Sequence, residues 1–249
     1  MCSRILDKLG DADVLCLQED MVRVRVMDGA VVSEPLPLDG YRLVAQCLGE
    51  SMGQTGGRRA DERQEYRLAN STYVRTGLGV GACTVVDLPV HSLEVPRCAA
   101  VAEVQGIRVA NVHLSGGRYD DKYADSIRDI KEAQLEAVLA LRPHVVVGDF
   151  NGQPQVPKTP SMDAYISSLR VTEGGFAAMF TGGHALLRRS GYAAALLAEA
   201  SATSIFGTVP DWVYYLPPRL QPTRIRVEDF TSGDLTDHNA VVVTFRIRE

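Results

Sequence analysis

The chain has 249 residues, 45% of them hydrophobic, and a formal net charge of −5. That length and apolar content allow a sizeable core, and no Pro/Gly/Ser-rich linker or internal repeat divides it, so a single domain over 1–249 is expected. The acidic balance argues against broad, non-specific duplex binding through a basic surface, and no apolar run approaches the roughly 20 residues that cross a bilayer.

Five cysteines, Cys2, Cys16, Cys47, Cys83 and Cys98, are odd in number and form no C-x-x-C pair. That pattern favours reduced thiols, and Met1-Cys-Ser-Arg begins no signal peptide. A soluble, intracellular, cytoplasmic or nuclear monomer is therefore expected.

Residues Ser3 to Leu9 put Ile5, Leu6 and Leu9 on one helical face, and Gly10 stops the helix. Val14 to Leu17 then reads as a buried strand ending in the polar cluster Gln18-Glu19-Asp20. Gly40 to Cys47 and Asn70 to Arg75 read as strands. Between them lie Gly53-Gln-Thr-Gly-Gly-Arg-Arg59 and the charged Asp61-Glu-Arg-Gln-Glu65. The glycine stretch lacks the Gly-Lys-Ser/Thr ending of a nucleotide-binding loop and reads as a mobile surface loop.

Cys83 to Leu88, Arg97 to Val104 and Ile107 to Leu114 make three consecutive strands, the last two joined by a tight turn at Gln105-Gly106. The third places Asn111 and His113 on one face. From Lys122 to Arg142, apolar Ile127, Ile130, Ala133, Ala137 and Leu141 repeat at helical spacing, and Pro143 ends the helix. It leads into His144-Val-Val-Val-Gly-Asp-Phe-Asn151, a buried strand that delivers Asp149 and Asn151 to its carboxyl end. Strand, helix and strand form a crossover with a parallel pair, which puts His113 and Asp149 at one edge. Asp149 and Asn151 also suit a simple turn, since Gln153-Pro154 follows.

Gln153 to Pro160 reads as a loop, and Gly183 to Ala200 contains a short helix. Pro210 to Leu216 is strand-like, with Asp211 at its entry. Thr223 to Phe230 is another strand, and Thr236-Asp-His-Asn239 precedes the last, Ala240 to Ile247.

In order, the polar clusters are Gln18-Glu19, Asn111-x-His113, Gly148-Asp-Phe-Asn151, Asp211-x-x-Tyr214 and Thr236-Asp-His-Asn239. Each is short, but five in sequence across residues 18–239 are far more specific than one. Together they resemble the endonuclease/exonuclease/phosphatase superfamily. The resemblance implies an α/β fold, a four-layer α/β/β/α sandwich with two mixed β-sheets face to face and helices outside. It implies a Mg²⁺-dependent phosphodiester hydrolase, with Mn²⁺ as a possible substitute, acting on a phosphoester for which nucleic acid is favoured. A nuclease or DNA-end-processing phosphodiesterase comes first. A phosphatase or phosphodiesterase on inositol phosphates or sphingomyelin, or a degraded binding or scaffold protein, is the alternative.

By the same resemblance Glu19 and Asp237 are metal ligands. Asp149 orients or deprotonates the attacking water, with Asn151 beside it, and His238 faces the phosphate with its ring held by Asp211. His113 matches a histidine that contacts the phosphate or leaving oxygen. Asn111 and Arg118 are expected on the substrate, and Arg58-Arg59 is a second basic candidate. The last motif carries Thr236 where Ser is usual, which keeps the hydroxyl. The resemblance also implies a strand with an Asn motif ahead of the first helix. Here Met1 already lies at that helix. Either the chain is an incomplete version of a longer protein, or the pocket has lost one metal-side ligand.

Overall fold

A computed structural model describes residues 2–27, 30–56, 63–90, 96–116, 120–169, 171–195, 202–205, 207–233 and 236–248. Helix α1 (Cys2–Leu9) precedes four strands, β1 (Val14–Met27), β2 (Ala30–Glu34), β3 (Tyr41–Gly56) and β4 (Arg63–Arg75). They form an antiparallel sheet in the order β2-β1-β4-β3. Next come β5 (Val80–Leu88), β6 (Arg97–Val104), β7 (Ile107–His113), α2 (Ala124–Leu139) and β8 (Val145–Asp149). Helices α3 (Pro160–Ser168), α4 (Glu173–Thr181) and α5 (His184–Arg189) follow, then β9 (Ala193–Ala194) and β10 (Asp211–Tyr215). The second sheet runs β5-β6-β7-β8-β10-β9, with β7 and β8 parallel across the α2 crossover and the other pairs antiparallel. Strands β11 (Leu220–Glu228) and β12 (Ala240–Ile247) pair with each other.

Period-two alternation on the six-stranded sheet explains the layering. Ala110, Val112, Val146 and Tyr214 face outward onto Leu135 and Val138 of α2 and Leu187 of α5. Val109, Val145 and Val213 face the other way, onto Cys16 of β1 and Val241, Val243 and Phe245 of β12. Beyond β1, Leu9 of α1 packs with Leu15 and Tyr73. The valine run before Gly148 is thus packed against helices on one face and on the other meets β1 and β12 across a cavity, with Val147 half-buried.

Several elements differ from expectation. Strand β1 does not stop at Leu17. Glu19 takes a left-handed φ of 53°, the ladder to β4 shifts between Leu17 and Asp20, and pairing resumes. Buried Val22 and Val24 then alternate with Arg23 and Arg25. Strands β3 and β4 likewise run through much of the stretch read as a loop, and Arg58 and Arg59 lie outside the described residues. The two helices after Pro157 were also missed. Thr159 and Thr172 cap them, their hydroxyls accepting from the amides of Met162 (3.2 Å) and Gly175 (3.1 Å). The two-layer sheet arrangement stands, but the four-stranded sheet is wholly antiparallel and β11–β12 forms a separate piece.

The expectation of reduced thiols is corrected. Cys47 of β3 and Cys98 of β6 form a disulfide between the two sheets, with Cα atoms 6.1 Å apart and a sequence separation of 51. Pairing across a sandwich leaves no trace in local spacing. Cys16 and Cys83 are free. The cysteine count therefore no longer argues for a reducing compartment. No described helix is long and apolar enough to cross a membrane.

Candidate active site

Strand register assembles the site. The parallel ladder sets His113 beside Asp149, and the antiparallel ladder sets Asp149 beside Asp211, so three polar residues form a row across β7, β8 and β10. Neighbouring strands lie roughly 4.8 Å apart, close enough for these side chains to meet. Gly148 makes the row possible. Its φ is +140°, and a Cβ there would sit 1.9 Å from the carbonyl oxygen of Val112. The turn that follows is fixed by the Asn151 amide, which donates to Asp149 Oδ1 at 2.6 Å, and by Asn151 Nδ2, which donates to the Leu114 carbonyl at 2.9 Å.

Asp149 Oδ2 lies 3.6 Å from His113 Nε2, and Glu19 Oε1 lies 3.9 Å from the same nitrogen. Burial, only partly opposed by the charge of Asp149, lowers the His113 pKa to about 4, so its ring is neutral at pH 7. Burial and then the charges of Asp149 and Asp237 raise the Glu19 pKa, while Arg97 acts the other way. Across the row, His238 Nδ1 meets Asp211 at 3.0 Å and 3.2 Å. Burial acts to lower the His238 pKa. The hydrogen bond and charge of Asp211, with Asp149 and Asp237, outweigh it and hold the value at about 9. His238 is therefore an imidazolium at neutral pH. Thr236 Oγ1 accepts from the His238 amide at 3.2 Å, the contact that a serine would also make.

Asn111 is not placed to meet a substrate. It is fully buried, and its Nδ2 donates to the carbonyls of Leu17 (3.2 Å) and Ser71 (3.1 Å). Gln18 Nε2 donates to its Oδ1 at 2.6 Å. This amide pair joins the sheets and fixes the bulge that aims Glu19. Arg118 lies outside the described residues. Arg97 was missed. It lines a small pocket with Glu19, Asn70 and His113, and its buried Nε has no hydrogen-bond partner. Its only sequence signal was a charge opening an apolar strand.

No family model and no curated protein sequence matches the chain. Solved structures do. The AP endonuclease of Archaeoglobus fulgidus superposes at a TM-score of 0.60 and 16% identity over 98% of this chain and 92% of that one. The endonuclease/exonuclease/phosphatase of Beutenbergia cavernae DSM 12333 gives 0.59 at 15% identity, over 98% of this chain and 65% of that one. The chain shares the fold of these two proteins. The human Nocturnin catalytic domain with bound sulfate anion superposes at a TM-score of 0.51 and 16% identity over 99% of this chain and 84% of that one.

Within this fold the carboxylates of the site suit a hard divalent cation. Asp149, Asp211 and His238 bring polar atoms within 4.8 Å of one another, but the protonated His238 has no lone pair to offer a cation and Asp211 is engaged with it, so a cation would meet carboxylates here. The Glu19 side chain is 58% exposed and Asp237 is exposed, so both can reach a cation that keeps much of its water. Like charges of Glu19, Asp149 and Asp237 crowd together, and a cation relieves that repulsion.

Proposed function

We propose that the protein is a Mg²⁺-dependent phosphodiester hydrolase acting on nucleic acid. The row of His113, Asp149 and Asp211-bound His238, facing Glu19, carries this reading. Glu19 and Asp237 would hold the cation, which when bound supplies Lewis-acid stabilisation of a phosphoryl oxygen. Asp149 has one oxygen tied to the Asn151 amide and the other free to take a proton from an attacking water. The His238 imidazolium donates to a phosphoryl oxygen as charge grows there, and Asp211 keeps its ring charged and aimed. Neutral His113 can donate a hydrogen bond to the same group without adding a second full charge. Arg97, with no ion pair among the described residues, offers a guanidinium to a phosphate.

Nucleic acid is favoured because an AP endonuclease shares the fold over nearly the whole of both chains. The test is a panel of single- and double-stranded DNA, RNA, inositol phosphates and sphingomyelin, each assayed with Mg²⁺, Mn²⁺ or EDTA. Hydrolysis of a nucleic acid that needs the cation supports the reading. Turnover of inositol phosphate or sphingomyelin alone replaces the substrate. No hydrolysis of any member favours a scaffold with a degraded site.

A further inference from the structure

Helix α2 carries two polar side chains where a covering helix needs only apolar ones. Lys131 is 1% exposed and Gln134 is 0% exposed, one turn apart on the face that also presents Ile127, Leu135 and Val138. Lys131 Nζ donates to the carbonyls of Asn151 (3.0 Å) and Met179 (2.9 Å). Gln134 Oε1 accepts from the Ser115 amide at 2.9 Å, and its Nε2 donates to the Pro89 carbonyl (2.7 Å) and to Ser115 Oγ (2.9 Å).

Met179 and Pro89 lie away from the site, but the other two partners, Asn151 and Ser115, lie beside it. Ser115 lies two residues after His113, and Asn151 lies two residues after Asp149. The two loops are already joined to each other by Asn151 Nδ2 on the Leu114 carbonyl. Burying an ammonium is costly, and its hydrogen bonds roughly offset that cost, so an apolar residue of similar volume serves stability about as well. What the apolar residue cannot do is hold a carbonyl in place. Asn151 has a left-handed φ of 49°, a region that asparagine tolerates better than most residues but that still costs energy to hold.

We propose that Lys131 and Gln134 are positioning residues that set the two loops of the site from beneath, Lys131 for the Asp149–Asn151 turn and Gln134 for the segment after His113. The role rests on the hydrolase reading above. Neither side chain touches substrate, and both act through backbone.

The experiment pairs kinetics with hydrogen exchange on the full chain, using Lys131→Met, Gln134→Leu and the donor-retaining Lys131→Arg. The substrate is the panel member that the wild type cleaves fastest in Mg²⁺. Lys131→Met and Gln134→Leu are expected to lower kcat about ten- to a hundredfold, the usual cost of a small misplacement, with KM within about twofold. The Asn151 amide in the first and the Ser115 amide in the second exchange faster, while amides of β6 and β7 keep wild-type protection. Lys131→Arg recovers part of both effects, and it carries the test alone if Lys131→Met does not fold.

Wild-type kcat and local exchange in both apolar variants overturn the proposal. So does a loss of protection spread evenly over the molecule, the mark of a merely structural role. If the wild type cleaves no panel member, the hydrolase reading fails, and exchange decides the positioning: acceleration confined to the two loops sustains it, and unchanged loops refute it.

Discussion

Asp149 takes the Asn151 amide on one oxygen and turns the other toward His113. Asp149→Asn keeps the shape but not the basicity, so the rate is expected to fall about 10²-fold or more with KM nearly unchanged. His238→Ala is expected to do the same, and wild-type turnover in either variant removes its assigned role. A third histidine reports on stability instead. His184 stacks on Phe150 (5.3 Å), and its Nδ1 meets the Tyr214 hydroxyl at 2.8 Å. Burial, then the charge of Lys131, lowers its pKa from 6.5 to about 3. The unfolded chain therefore binds a proton below pH 6.5 at His184 that the folded chain refuses until about pH 3, so the His184 contribution to stability is complete above 6.5 and is lost as pH falls through that window. Melting temperatures from pH 7 to 4 are expected to decline less steeply in His184→Gln than in the wild type, and equal slopes contradict the assignment. His113, Asp149, Asp211 and His238 were legible because each ends or enters an apolar run. Asn111 was misjudged because period two gives a face and not a depth. Arg97 belongs to no short motif.

Strand β8 carries most of the geometry, and its glycine is the sharpest test at the scale of an element. A Cβ at position 148 meets the Val112 carbonyl and also forces a positive φ on a residue that resists it. Gly148→Ala is expected to lose about 1–3 kcal/mol from backbone strain alone, read as a lower urea midpoint. A variant as stable as the wild type means that the β7–β8 approach is looser than described. Elements with strict alternation or helical period were legible: β6 and β12 have the expected bounds, and the α2 crossover gives the expected parallel pair. The continuation of β1 beyond Gln18 was not, because a polar cluster reads as an end unless the bulge at Glu19 is known. Helices α3 and α4 were hidden by prolines and by Gly174-Gly175, although Thr159-Pro160 is a recognisable helix start.

At the scale of the whole molecule the sandwich was legible from the order of five short motifs, and neither composition nor cysteine count would have found it. The inter-sheet disulfide was invisible because its two ends meet only after folding. The layer opposite the six-stranded sheet is in two pieces, and a cavity of about 680 Å³ lies between them, lined by Leu15, Leu17, Val241 and Val243 over Val109, Val145 and Val213. Among the described residues, Val14–Leu17 pair only with β4 and β12 pairs only with β11. Each buried, unpaired backbone group costs about 1–3 kcal/mol. An extended segment of some 20–30 residues supplied ahead of α1, roughly one strand and its connection, is therefore expected to raise both melting temperature and Mg²⁺-dependent rate. Equal values with and without it show that the gap is no strand site. We propose above that the His113, Asp149 and His238 row hydrolyses phosphodiesters with a divalent cation. The most direct test is the rate of oligonucleotide cleavage by the purified wild type and Asp149→Asn, side by side in Mg²⁺ and after exhaustive EDTA treatment. Cleavage is expected in Mg²⁺, at least about 10²-fold faster for the wild type than for the variant, and absent after EDTA. Full activity after EDTA, or equal activity in the variant, would contradict it.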